Sequence, residues 1–189
     1  MENRVANPNG LGFAAWAIGA WMYSMVPAGW FPLEQLESST MRGVATFAML
    51  ALLIAALASF LRGNAWHGVF FMFWSAIWWG YQGTGGGGNE VFVGWYFLAI
   101  AVVSFFLWWA ALRSGLSLPV NLLSLGLWIA FALWALGYWF GLDVLALIGG
   151  YVGLLSALAA FWATAVEMLG GGAPARQSSG APMAGASAD

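Results

Sequence analysis

The stretch ANPNGLGFAAWAIGAWMYSM, residues 6–25, places a polar, helix-breaking cluster directly before an apolar run that contains no charged residue. A proline at the start of a helix is tolerated because its missing N–H would be unsatisfied there anyway, and an adjacent asparagine can cap the exposed amides. Those amides form the positive end of the helix dipole, where an anion can rest without a charged side chain. The stretch therefore predicts a capped, apolar helix whose first turn attracts anions.

The rest of the chain has the same apolar character. Its 189 residues are 62% hydrophobic and 6% charged, which is more apolar surface than a soluble domain of this length can cover. The composition predicts an all-α integral membrane protein with a six-transmembrane-helix bundle over residues 1–169. Each apolar segment is close to the roughly 20 residues that ~30 Å of hydrocarbon requires. The segments are residues 11–31, 43–61, 65–82, 91–112, 119–140 and 144–169. Residues 170–189, made mostly of Gly, Ala, Ser and Pro, predict a disordered cytoplasmic tail.

Arginine placement predicts the orientation of the bundle. With six spans both termini share one side, and Arg4, Arg62, Arg113 and Arg176 fall on that side, while Arg42 falls on the other. Basic residues are enriched in cytoplasmic loops. We therefore expect both termini in the cytoplasm of a multi-pass protein of the cell membrane, the inner or plasma membrane of a prokaryote, with the lipid bilayer as its surroundings.

Several functions are excluded by the residues that are missing or rare. The chain has no cysteine, no lysine and one histidine, which excludes thiol chemistry, lysine Schiff bases and a histidine metal cluster. No G-x-S-x-G elbow for a nucleophile is present. The net charge of −2 implies no nucleic-acid partner. We expect no enzyme activity, no cofactor and no metal site.

Two ionisable residues lie inside the predicted spans, His67 near the start of the third and Glu167 near the end of the sixth. Titratable groups within a membrane are costly, and they often relay protons or bind substrate. Both lie close enough to a span end to be merely solvated at the interface. The sequence leaves these two readings open.

Tryptophan and glycine are the other unusual residues. Of the 14 tryptophans, eight lie near span ends, where indoles favour the membrane interface, and six lie deeper. A deep indole either packs between helices or narrows a pore.

Gly149, Gly150 and Gly153 in the sixth span have the small-residue spacing that allows helix backbones to approach closely.

Several motifs resemble the succinate-acetate permease family, also called the acetate uptake transporter family. Asn7, Pro8, Leu11 and Gly12 match its NPxxLG signature. RGNAWHGVFFMFWSAIWW, residues 62–79, is similar to its third helix, and FVGWYFLAIAVVSFFLWWAALR, residues 92–113, to its fourth. FALWALG, residues 131–137, and GGYVGLLSALAAFWATAVEML, residues 149–169, resemble the fifth and sixth. The match covers nearly the whole chain except the tail.

The resemblance implies a channel or transporter for acetate and other small monocarboxylates, assembled as a homohexamer with one pathway per subunit. Three family positions that form a narrow constriction correspond to Trp16, Trp74 and Leu127. The expected pathway-lining residues are Asn7, Tyr23, Ser75, Ser124 and Ala160.

Two alternatives remain open from the sequence. One is a pathway for ammonium or another small molecule, and the other is a Trp-rich membrane scaffold protein that transports nothing. If the protein transports small carboxylates, the permeant is either the carboxylate anion or the protonated acid. Both are possible because moving an anion from water into a dry pore is costly without hydrogen-bond donors.

Overall fold

The computed structural model describes residues 6–83 and 90–170, and these form six α-helices and one short 3₁₀ helix. The α-helices are α1 (Asn9–Met25), α2 (Ser39–Leu61), α3 (Ala65–Gly83), α4 (Glu90–Arg113), α5 (Leu118–Phe140) and α6 (Asp143–Gly170). The 3₁₀ helix, Leu33–Glu37, lies between α1 and α2. The number and order of the α-helices agree with the predicted segments. Residues 171–189 of the predicted tail lie outside the described residues.

The first helix is shorter than the sequence predicts. The apolar segment extends to residue 31, whereas α1 ends at Met25 and is followed by turns. Pro27 has no N–H to donate to the helix, and Gly29 adopts a left-handed conformation with φ of 77°. The chain therefore leaves the helix while its sequence is still apolar, which hydropathy alone does not reveal.

The helices pack as a closed ring. Each helix contacts the next along the chain, and α6 contacts α1. The contact between the backbones of α3 and α4 is the lightest in the ring. A side chain bridges these two helices, because Trp66 Nε1 donates a hydrogen bond of 3.0 Å to the carbonyl of Leu107.

Glycines on α6 allow α1 to approach closely. A Cβ added at Gly150 would lie less than 3.0 Å from backbone atoms of Pro27 and Ala28, and one at Gly153 would lie equally close to the Ser24 hydroxyl. Such short distances leave no room for a side chain. This confirms the close packing that the small-residue spacing predicts, and it fixes the position of α1 in the ring.

Four helices are long and apolar enough to cross a membrane by length and composition, namely α2, α4 from Val91, α5 and α6. The other two are α1, which has 17 residues, and α3, which contains His67 and several tryptophans. Many large apolar side chains on the outside of the ring are exposed, such as Phe106 and Leu155. An outer surface of this kind suits lipid contact.

Candidate transport pathway

Aromatic side chains meet across the interior of the ring. Trp74 on α3 and Phe131 on α5 have ring centroids 5.5 Å apart, and Tyr23 on α1 and Trp134 on α5 have centroids 5.3 Å apart. Neither pair of helices is adjacent in the ring, so these contacts cross its interior. A pathway through the ring would have to pass these side chains.

The structure brings two of the three predicted constriction residues into direct contact. The rings of Trp16 and Trp74 have centroids 5.8 Å apart and an interplanar angle of 73°, an edge-to-face arrangement. Their exposed fractions are 1% and 3%. Aromatic pairs favour this geometry because the positive edge of one ring faces the negative face of the other. Together the two indoles fill the space between α1 and α3.

The third predicted residue, Leu127, lies on α5 in the same buried core, with 4% of its surface exposed. The aromatic contact that α5 makes with Trp74 comes from Phe131, one helical turn after Leu127. Residues four apart share one face of a helix, so the spacing from Leu127 is the signal that points to Phe131. Phe131 is not among the pathway residues predicted from the sequence.

Three buried indoles in this region lack a hydrogen-bond acceptor. The Nε1 atoms of Trp16, Trp74 and Trp78 have no partner among the described residues. Other indoles do find one: Trp134 Nε1 donates to the carbonyl of Ala146 at 3.2 Å. Buried donors are rarely left unpaired, because losing the hydrogen bond to water costs about 1–3 kcal/mol. An acceptor atom, of a water molecule or of a ligand, would therefore be stabilised at these donors.

Trp78 lies near the end of the third predicted segment, residues 65–82, so the sequence predicts an indole at the membrane interface, yet it is buried and its ring packs over Gly19 of α1. It follows Trp74 by four residues, so both indoles lie on the same face of α3. The indole of Trp128 on α5 also has no hydrogen-bond partner in the described part of the chain. It lines a groove of about 330 Å³ between α4 and α5, together with Leu98 and Phe105.

The predicted lining residues occupy different environments. Tyr23 packs against the rings of Trp78, Tyr81 and Trp134. Ser75 donates its hydroxyl proton to the carbonyl of Met49 on α2 at 2.8 Å, and Ser124 donates to Val120 within α5 at 2.9 Å. Both hydroxyl protons are thus used between or within helices. Ala160 is fully buried on α6.

Asn7, the remaining predicted lining residue, lies at the start of α1 and contacts the end of α6. Its Oδ1 accepts a hydrogen bond from the backbone N–H of Asn9 at 3.1 Å, so it caps the helix as the sequence predicts. Its Nδ2 donates to Glu167 Oε2 at 2.8 Å, and Asn9 Nδ2 donates to the same oxygen at 3.2 Å. We call Asn7, Asn9 and Glu167 the mouth cluster. Asn9 is not among the pathway residues predicted from the sequence.

His67 lies on α3 with 5% of its surface exposed, so it is not a solvated residue of the interface. Its Nδ1 is 2.8 Å from Asn64 Oδ1, and its ring packs against Phe13 and Trp66. This hydrogen bond places the ring proton on Nδ1, since a carbonyl oxygen only accepts. Within residues 6–83 and 90–170, no three His, Asp or Glu side chains are grouped so that they could hold a metal ion.

Comparison with known proteins supports the fold. No family model and no curated protein matches the chain. Among solved structures, the chain is similar to one described as the bacterial acetate channel SatP, with a TM-score of 0.79. The match has 20% sequence identity and covers 88% of this chain and 93% of that one. The chain therefore has the fold of the bacterial acetate channel SatP, as its resemblance to the acetate uptake transporter family predicts.

Proposed function

We propose that the protein is a membrane channel or transporter for acetate and other small monocarboxylates. One observation carries the proposal: the indole N–H groups of Trp16 and Trp74 are buried side by side and lack an acceptor among the described residues. A carboxylate oxygen is an acceptor for such donors, and hydrogen bonds to a charged group are the strongest that a side chain makes. The shared fold with an acetate channel supports the same substrate class.

The proposed constriction consists of Trp16, Trp74 and Leu127. Around it, Ser75 and Ser124 already donate their protons to backbone carbonyls, so their oxygens are left only as acceptors. At the constriction itself, the indole N–H groups of Trp16 and Trp74 are then the proposed donors for a carboxylate. Beyond the constriction, the proposed pathway passes Tyr23 and Ala160.

The unpaired donors also bear on the choice between a carboxylate and ammonium as the permeant. Ammonium carries only N–H donors and needs acceptors along its path, so an unpaired indole N–H offers it no hydrogen bond. A carboxylate needs donors. The observation therefore favours a carboxylate over ammonium, and a scaffold without a pathway would give these buried donors no ligand.

The proposal includes six membrane crossings with both termini in the cytoplasm of a prokaryotic cell. At about 1.5 Å per residue, the 17 residues of α1 extend about 25 Å, close to the ~30 Å of the hydrocarbon core. The helix also packs between α2 and α6, two candidate spans. The arginine distribution supports the orientation. The homohexamer rests on the family resemblance, and light scattering in mild detergent tests it.

The deciding experiment is uptake of radiolabelled acetate by liposomes that contain the purified protein, measured against empty liposomes. We expect uptake that saturates, that unlabelled acetate and formate suppress, and that ammonium chloride leaves unchanged relative to sodium chloride. Uptake equal to that of empty liposomes, from protein shown to be folded, would refute transport of acetate. Suppression by ammonium alone would instead favour the ammonium pathway.

A further inference from the structure

The mouth cluster holds a carboxylate that belongs to the chain itself. Glu167 Oε2 accepts hydrogen bonds of 2.8 and 3.2 Å from the side-chain amides of Asn7 and Asn9. Both donors are neutral. Asn7 lies two residues before the first residue of α1, Asn9, so both donors are at the end of the helix where the positive end of the dipole favours a negative charge. The site has the donors that carboxylate binding needs, and Glu167 fills it.

Only one of the two polar groups of the Asn9 side chain is used in this arrangement. Its exposed fraction is 6%, and its Oδ1 has no hydrogen-bond partner among the described residues, while its Nδ2 donates to Glu167. A carboxamide presents a donor and an acceptor side by side. A carboxylate satisfies the donor, and a protonated acid, which brings its own O–H, satisfies both atoms. The unpaired oxygen thus indicates a ligand beyond Glu167.

From these contacts we propose that Asn7 and Asn9 form a binding site for the carboxyl group of the incoming substrate, and that Glu167 is an internal competitor which the substrate must displace. The inference rests on the proposed function, because the permeant there is a small carboxylate. The same two amides bind either carboxyl group in turn. Glu167 also repels a second anion close to it, so the mouth admits a carboxylate anion only when Glu167 leaves the amides.

The variant Glu167→Gln tests the competitor. Glutamine keeps a carbonyl oxygen that Asn7 and Asn9 can still donate to, so the contact between α1 and α6 survives, but hydrogen bonds to a neutral acceptor are roughly half as strong. We expect the KM for acetate uptake to fall about tenfold, which corresponds to ~1.4 kcal/mol. We expect the melting temperature in detergent to stay close to that of the unsubstituted protein. A residue that only tethers α6 to α1 would not change KM in this way.

Two further variants complete the experiment. Glu34→Gln removes the same charge from an exposed position on the 3₁₀ helix, and we expect it to leave KM unchanged. Asn9→Ala removes the proposed ligand of the substrate, and we expect KM to rise. Acetate binding to the purified protein is measured in parallel from the acetate methyl signal in saturation-transfer NMR, which does not depend on flux. We expect this signal to weaken in Asn9→Ala and to strengthen in Glu167→Gln.

The outcomes separate this inference from the proposed function. Acetate uptake with an unchanged KM in Glu167→Gln would overturn the competitor and leave the transport proposal intact. The absence of uptake by the unsubstituted protein, together with an acetate NMR signal that depends on Asn9, would refute transport and support the mouth site. An acetate signal that is equal in all variants would overturn the mouth site.

Discussion

Loss of the Trp74 indole N–H should reduce acetate flux, and the size of the reduction depends on the charge of the permeant. Trp74 contacts Trp16 and Phe131 through its ring, while its Nε1 has no partner among the described residues. Replacing the indole N–H therefore removes a donor without breaking a hydrogen bond within the described part of the chain. Any loss of transport then arises from the contact with the permeant.

The expected size follows from the hydrogen bond that the permeant would lose. A hydrogen bond to a charged acceptor contributes about 1.5–3 kcal/mol and a neutral one about 0.5–1.5 kcal/mol. With tenfold for every ~1.4 kcal/mol, loss of the donor reduces acetate flux roughly ten- to hundredfold for the anion. For the protonated acid the reduction is only about two- to tenfold by the same relation. The measured factor thus distinguishes the two permeants.

The assay is acetate flux into liposomes with two replacements at position 74. Trp74→Phe removes the donor but also some bulk, which by itself would widen the constriction and raise flux. The non-natural residue 3-benzothienylalanine keeps the size of the indole and has sulfur in place of the N–H. Trp79→Phe, at an exposed position on the same helix, is the control and should leave flux unchanged. Equal flux for the benzothienyl variant and the unsubstituted protein would refute the role of the indole donor.

Three other predictions concern the constriction, the packing of the helices and the orientation in the membrane. Trp74→Ala and Leu127→Ala should raise the ratio of lactate to acetate flux about tenfold or more, because discrimination against one additional methylene-sized group is worth about 1–3 kcal/mol. An unchanged ratio would show that both residues only pack in the core. Gly150→Ala should destabilise the bundle by about 1–3 kcal/mol, since its Cβ would clash with the backbone of Ala28. Gly43→Ala, in open space, should stabilise it by about 0.5–1 kcal/mol; equal melting temperatures for the two variants would contradict this packing. The variant Ser187→Cys, in a chain without native cysteine, should not react with a membrane-impermeant maleimide added to intact cells, and labelling would reverse the predicted orientation.

The sequence by itself determined the class of the protein and the positions of its helices. Apolar segments of nearly constant length follow from the thickness of the hydrocarbon core, so they are readable from local composition. The cap at Asn7 is equally local, because it joins residues two apart. The end of α1 is an exception, since the chain turns at Pro27 and Gly29 although the composition stays apolar.

The tertiary structure decided which side chains meet. The sequence separates the 14 tryptophans only by their distance from the span ends, but whether an indole finds an acceptor depends on the rotation of its helix against the neighbouring helices. Trp134 reaches a carbonyl on α6, whereas Trp74 reaches none among the described residues. Likewise, Asn9 and Glu167 are 158 residues apart in the chain. They meet because α6 packs against α1, with Gly153 close to Ser24 and Gly150 close to the turn after α1, a contact set by the shapes of both segments and not by either one alone.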